Sequence, residues 1–197
     1  YLPDGSGRAT HSERLADVLL WLGTYEVATP GVHLSASASV RLGDLDQPQP
    51  DALLRLDPAL GGRCVVDPDD RLNGPPELVA EVATGGASYD LHQKFEAYRS
   101  HGVREYVACR LADRAIDWFR LEGDRYVPLP ADRDGVSRSN TFPGLALDRE
   151  AMLAGDMPRV LDVLRAALVS PIHGAFVRSL RPRRASRTAR TRRAPRT

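Results

Sequence analysis

Three side chains in this sequence have the types and the settings for hard-cation chemistry: Asp51, Glu81 and Lys94. Asp51 follows Pro50 and opens a short apolar stretch, DALLRL. Glu81 lies within ELVAEVA, a run apolar enough to read as a strand in the middle of a sheet. Lys94 falls one turn after Leu91 and one turn before Tyr98 on a helical segment, which sets it on the flank of the inward face. Two carboxylates on neighbouring strands with an ammonium leaning over them suit a cation that takes oxygen ligands and keeps several waters, as magnesium does. Such a cation lowers the pKa of a bound water and polarises a phosphoryl oxygen. The ammonium can offset charge that builds on a phosphate. Each residue also has a structural account. Asp51 can simply end a turn after proline. Glu81 needs a partner to offset the cost of burying a carboxylate, and an ion pair with Lys94 would supply one.

Lysine usage singles out the same residue. Of 27 basic residues, Lys94 alone is lysine and the rest are arginine. A compact charge on a flexible stem does what a broad planar guanidinium does not, so one retained lysine suggests a task of its own. Other candidates are weaker. His11, His33, His92, His101 and His173 show no metal-ligand spacing with one another. His92 stands about 160° from Lys94 around a helix, at about 100° per residue, and reads as surface. Ser88 and Ser139 lack the context of a nucleophile elbow. Asp67, Asp69 and Asp70 lack the glycine and terminal glutamate of a calcium loop and read as turn residues.

The elements that must position the three residues follow from periodicity and punctuation. Thr10 and Glu13 form a T-x-x-E capping box that opens a helix over about 11–22, with Leu15, Val18, Leu19 and Leu22 inward and Gly23 as its stop. Strict alternation from Gly31 to Leu42 predicts one half-buried strand. Strands are expected at 51–56 and 77–83, with a glycine- and proline-rich loop between them and a short β-arm near Cys64–Val66. Asp90 reads as the cap of a helix over about 91–100, stopped by Gly102. VREYVACRL, AIDWFRL and RYVPL predict a meander, in which Trp118 and Phe119 are core or dimer contacts, and helices follow near 148–154, 157–169 and 172–180. That order gives an α/β fold, a mixed sheet flanked by helices.

Composition bounds the rest. The 197 residues suit one domain with appendages. Cys64 and Cys109 lie far apart, which argues against zinc and disulfides and for a reducing, cytoplasmic setting. No apolar run is long enough to span a bilayer, so no membrane partner is expected. The net charge of +1 hides a segregation: nine arginines and no acid from Arg178 onward leave residues 1–177 at −8. The expected organisation is therefore a domain over 1–177 and a disordered arginine-rich tail over 178–197. Such a tail can neutralise phosphates without reading sequence, or can be a solvated extension.

PQPDALL, GPPELVAEVA, SYDLHQKFEAYRSHGVREYV, AIDWF and FPGLALD together resemble the Uma-type restriction endonucleases, once catalogued as a domain of unknown function. The Y-D-L-H-x-K-x-x-A-Y-R-x-x-G-V-R-E-Y string is the specific part, and the resemblance covers about residues 10–170. It implies a restriction-endonuclease-like fold of the PD-(D/E)XK superfamily, with the lysine moved from the third strand to the following helix. It also implies magnesium or manganese held by Asp51, Glu81 and the Val82 carbonyl, Asp51, Glu81 and Lys94 as the catalytic set, and DNA as substrate. It admits a homodimer and calls for no small-molecule cofactor. Two departures are visible: the family's E-L-x-x-G-x segment has no counterpart, which predicts a domain lacking its N-terminal elements, and Thr84-Gly85-Gly86 replaces its serine-rich turn. The alternative is a catalytically inactive nuclease-fold protein that binds nucleic acid or a protein partner.

Overall fold

A computed structural model describes residues 6–43, 46–84 and 88–180. The first helix, α1 (Ser6–Ala28), is nearly twice as long as the sequence predicts: Thr10 lies inside it and Gly23 does not stop it. The reason is burial. Trp21, Leu22 and Tyr25 are fully buried. Each such side chain contributes roughly 1.5–3 kcal/mol, which outweighs the roughly 1 kcal/mol cost of one mid-helix glycine. Trp21 also donates Nε1–H to the Ala146 carbonyl at 2.8 Å and meets Trp118 edge-on at 5.7 Å between ring centroids. The helix ends where Pro30 and Gly31 turn the chain, Gly31 at φ +94°.

The alternating run then splits. β1 (Val32–Ala36) ends at Ser37, whose φ of +49° breaks the extended chain, and β2 (Val40–Arg41) resumes in a different sheet. The expected single strand is two strands because a shared period of two leaves the break between them invisible. β3 (Ala52–Leu56), β4 (Val65–Val66), β5 (Leu72–Asn73) and β6 (Leu78–Ala83) follow. α2 (Ser88–Ser100) crosses over to β7 (Glu105–Arg110), and the meander runs on through β8 (Ala115–Glu122) and β9 (Arg125–Pro128). α2 opens two residues before Asp90, so Asp90 is in its first turn and not at its cap. A β10 (Val136–Arg138) and β11 (Ala146–Asp148) pair, not expected from sequence, leads into α3 (Arg149–Ala154), α4 (Met157–Leu168) and α5 (Pro171–Ser179). α5 passes the expected boundary at 177, and Leu180 is buried after it. The rest of the expected tail, 181–197, lies outside the described residues.

The main sheet has six strands in the order β1-β3-β6-β7-β8-β9. Only β6 and β7 are parallel, as the α2 crossover between them requires. The sheet is mixed and flanked by helices, as expected. One face carries Ala52, Leu54, Leu78, Ala80 and Val82 against α1, α3 and α4. The other carries Leu53 and Val79 against Tyr98 of α2 and Val40 and Leu72 of the small β2-β5-β4 sheet. Among the described residues, no single helix is long and apolar enough to cross a membrane.

Candidate active site

The register of β3 on β6 prepares the site before any side chain is considered. Ala52 lies opposite Ala80 and Leu53 opposite Val79 in an antiparallel pair. One step further along that register sets Asp51 across from Glu81, where directly opposed residues share a face and sit close together. Odd-numbered residues of both strands face α2. Glu81 is buried, with 3% of its surface exposed.

α2 completes the arrangement from above that face. Lys94 Nζ stands 3.0 Å from Glu81 Oε2 and Tyr98, one turn later, donates its hydroxyl to Glu81 Oε1 at 2.8 Å. Lys94 Nζ also reaches the Gln49 carbonyl at 3.5 Å, which ties α2 to the segment leading into β3. Asp51 Oδ2 accepts from the backbone N–H of Val82 at 2.7 Å. Asp51, Glu81 and Lys94 therefore lie together at one end of the sheet, where β6 delivers its C-terminal half.

Electrostatics at Glu81 are not balanced by Lys94 alone. Burial pushes the Glu81 carboxyl above its ordinary value; the Lys94 charge and the hydrogen bonds from Tyr98 and Lys94 pull it down, and Asp51 adds to the rise. Burial, then the Glu81 charge, raises Tyr98 so far that it remains a phenol donor. Two adjacent carboxylates are the donor type that a hard divalent cation takes. Among the described residues no three His, Cys, Asp or Glu side chains cluster as a metal cage, but magnesium asks for only one or two carboxylates and fills its remaining positions with water.

Sequence reasoning missed one neighbour. His11 Nε2 lies 3.4 Å from Asp51 Oδ2. Spacing among histidines could not have found it, but spacing along α1 could: at about 100° per residue His11 falls within roughly 40° of Val18, Leu22 and Tyr25, the buried stripe. The other candidates are structural. His92 is exposed. His173 is buried against Thr29 Oγ1 and the Leu168 carbonyl. Ser139 donates to Glu105 and accepts from Phe142 N–H. Asp67 accepts from Asp69 N–H, Arg71 N–H and Asn73, a turn clamp that holds its carboxyl below the usual range. Trp118 belongs to the core and donates to Glu105.

The family described as Uma2, "putative restriction endonuclease", matches residues 3–150, three quarters of the chain and all of Asp51, Glu81 and Lys94. The chain belongs to that family. Uma2 membership carries the nuclease assignment at the level of the family, and the mixed α/β sheet is the fold on which it rests here. A solved structure described as a "putative nuclease belonging to DUF820" from Anabaena variabilis is 13% identical, with a TM-score of 0.49, over 73% of this chain and 81% of that one. No curated protein matches the sequence.

Proposed function

We propose that this Uma2 protein is an endonuclease that hydrolyses phosphodiester bonds in DNA with magnesium or manganese, using Asp51, Glu81 and Lys94. The observation that carries the reading is the buried Glu81 carboxylate, opposite Asp51 in strand register and 3.0 Å from the chain's lone lysine. Asp51, Glu81 and the Val82 carbonyl would hold the cation. A bound magnesium supplies a water of lowered pKa and polarises a phosphoryl oxygen.

The chain's own residues do the remaining work. Tyr98 and Lys94 fix the two oxygens of Glu81, so the carboxylate is oriented before substrate arrives. The Lys94 ammonium, already at the site, offsets charge that builds on the phosphate during attack. An open groove of about 720 Å³ runs beside Lys94, lined by Asp46, Gln93, Glu96 and Arg99 among others, though neither Asp51 nor Glu81 lines it. The −8 charge of residues 1–177 makes the basic tail the natural contributor of non-specific phosphate contacts.

A second reading has one observation behind it. Both Glu81 oxygens already have protein donors, as in an ion pair whose only role is structural. Incubation of supercoiled plasmid with the protein and magnesium or manganese separates the two. Cleavage by the wild type that falls by about 10²-fold or more in Glu81→Ala and Lys94→Ala supports the nuclease. Equal cleavage by all three rejects the site. Salt-dependent DNA binding without cleavage favours the non-catalytic protein.

A further inference from the structure

Arginine is unevenly neutralised in this chain. Arg14, Arg99, Arg110, Arg120, Arg138 and Arg159 each stand in a salt bridge with an acid. Among the described residues Arg41, Arg63 and Arg104 stand in none, and all three are exposed. The fold gathers them at the end of the sheet away from Glu81. Gly74 N–H donates to the Arg41 carbonyl at 2.8 Å, and a Cβ on Gly74 would stand 2.4 Å from the Arg63 carbonyl. Val40, Cys64 and Leu72 turn into the core, which leaves the alternate residues Arg41 and Arg63 outward. Arg63 Nη2 donates to the Gly102 carbonyl, two residues before Arg104. Burial, then the Arg104 charge, holds the Arg63 guanidinium below its ordinary value, and the Glu77 charge opposes them. Glu77 is fully buried. Its Oε2 accepts from Leu56 N–H at 2.8 Å and its Oε1 has no hydrogen-bond partner among the described residues, so it neutralises none of the three by contact.

We propose that Arg41, Arg63 and Arg104 form a contact surface for the phosphate backbone of duplex DNA. The inference rests on the DNA-directed reading above. Residues 1–177 carry a net charge of −8, which repels a polyanion, so a cluster of guanidiniums with no acid attached is where a backbone can approach. The small sheet that carries Arg41 packs on the same face of the main sheet as α2, the face that Glu81 shares. Glu105 N–H bonds the Glu77 carbonyl at 3.0 Å, which sets Arg104 beside the start of β6. From Glu77 to Glu81 the chain runs about 13 Å, at about 3.3 Å per strand residue. That is about four base pairs of duplex, at about 3.4 Å each. A duplex that presents one phosphodiester to Lys94 meets the arginines with its flanking backbone. Such contacts set register on the duplex without reading its sequence.

The experiment titrates the full chain against a short labelled duplex by fluorescence anisotropy, without divalent ions, from about 50 to 200 mM salt, alongside thermal melts. Arg63 is left in place because its bond to Gly102 also holds the loop before β7. The proteins are wild type, the double variant Arg41→Ala with Arg104→Ala, the same pair changed to lysine, and Arg133→Ala with Arg165→Ala. The last pair removes as much charge, from the turn before β10 and from α4 on the other face of the sheet. Each phosphate contact contributes about 0.9 to the slope of log affinity against log salt. The alanine pair should lower that slope by about two, with unchanged melting. The lysine pair, which keeps the charge, should hold the wild-type slope, and so should the Arg133 and Arg165 pair. A wild-type slope in the alanine pair overturns the proposal and leaves the nuclease reading standing. An equal loss in the Arg133 and Arg165 pair overturns it too, since net charge alone would then act. So does a lysine pair no better than alanine, or a loss accompanied by a large fall in melting temperature, which would assign these arginines to the fold. Failure of the wild type to bind DNA at any salt removes the DNA-directed reading itself, and this surface with it.

Discussion

Tyr98 donates its hydroxyl to Glu81 Oε1 at 2.8 Å across the gap between α2 and β6, and both residues are buried. The bond anchors the helix that carries Lys94 to the strand that carries its partner. It makes Tyr98 a support for the site although the sequence presents it as core.

Tyr98→Phe keeps the ring and removes the donor, leaving a buried carboxylate oxygen short of a partner. The expected cost is about 1–3 kcal/mol of stability, read from the urea midpoint. A midpoint shift within error would show that water replaces the phenol.

Glu81 gives a pH signature without divalent ions. Burial raises its folded pKa above the ordinary 4.5, so the folded state holds the proton more tightly than the unfolded state. Its contribution to stability is fully present below about 4.5 and is lost as pH rises through the folded pKa. Glu81→Gln should therefore gain on the wild type as pH increases above 4.5, by at most about 1.4 kcal/mol per pH unit within that window. Urea unfolding of both proteins from pH 4 to pH 8 checks the sign. A difference that is flat, or that shrinks with pH, would contradict it.

Lys94→Arg tests whether the lone lysine matters for shape as well as charge. The guanidinium keeps the charge but is wider and less free to follow a phosphate oxygen. Cleavage should fall by about 10²-fold with the fold intact, measured as plasmid nicking rate against a circular-dichroism melt. Undiminished nicking would return Lys94 to a simple counter-ion.

Glu105 is buried yet satisfied by neutral donors: Trp118 Nε1–H, Ser139 Oγ–H and the backbone N–H groups of Asn140 and Thr141. It clamps the loop after the meander to the start of β7. Glu105→Ala strands these donors together and should cost at least about 3 kcal/mol. For a chain of this size that is a fall of roughly 6–12 °C in melting temperature. A fall of a degree or two would mean that the loop is held elsewhere.

The sequence alone determined the kinds of element at the site and in the meander and the faces they bury, but not the β10–β11 pair. An apolar strand with one glutamate, a helix with one lysine and a meander of alternating strands were legible because side-chain periodicity depends on local geometry. The position of Lys94 on the flank of its helix agrees with its 24% exposure and its contact with Glu81. Tertiary structure decided what periodicity cannot express: which element covers which. The break at Ser37 was hidden because both halves of the run keep a period of two, and the full length of α1 was hidden because Gly23 ends a helix only where nothing buried holds it. His11 reaches Asp51, and four separate donors reach Glu105, through contacts between residues from 34 to 40 positions apart in most cases and as few as 13 in one. Such contacts arise when the layers pack, and a pattern read along one element carries no information about the element laid across it.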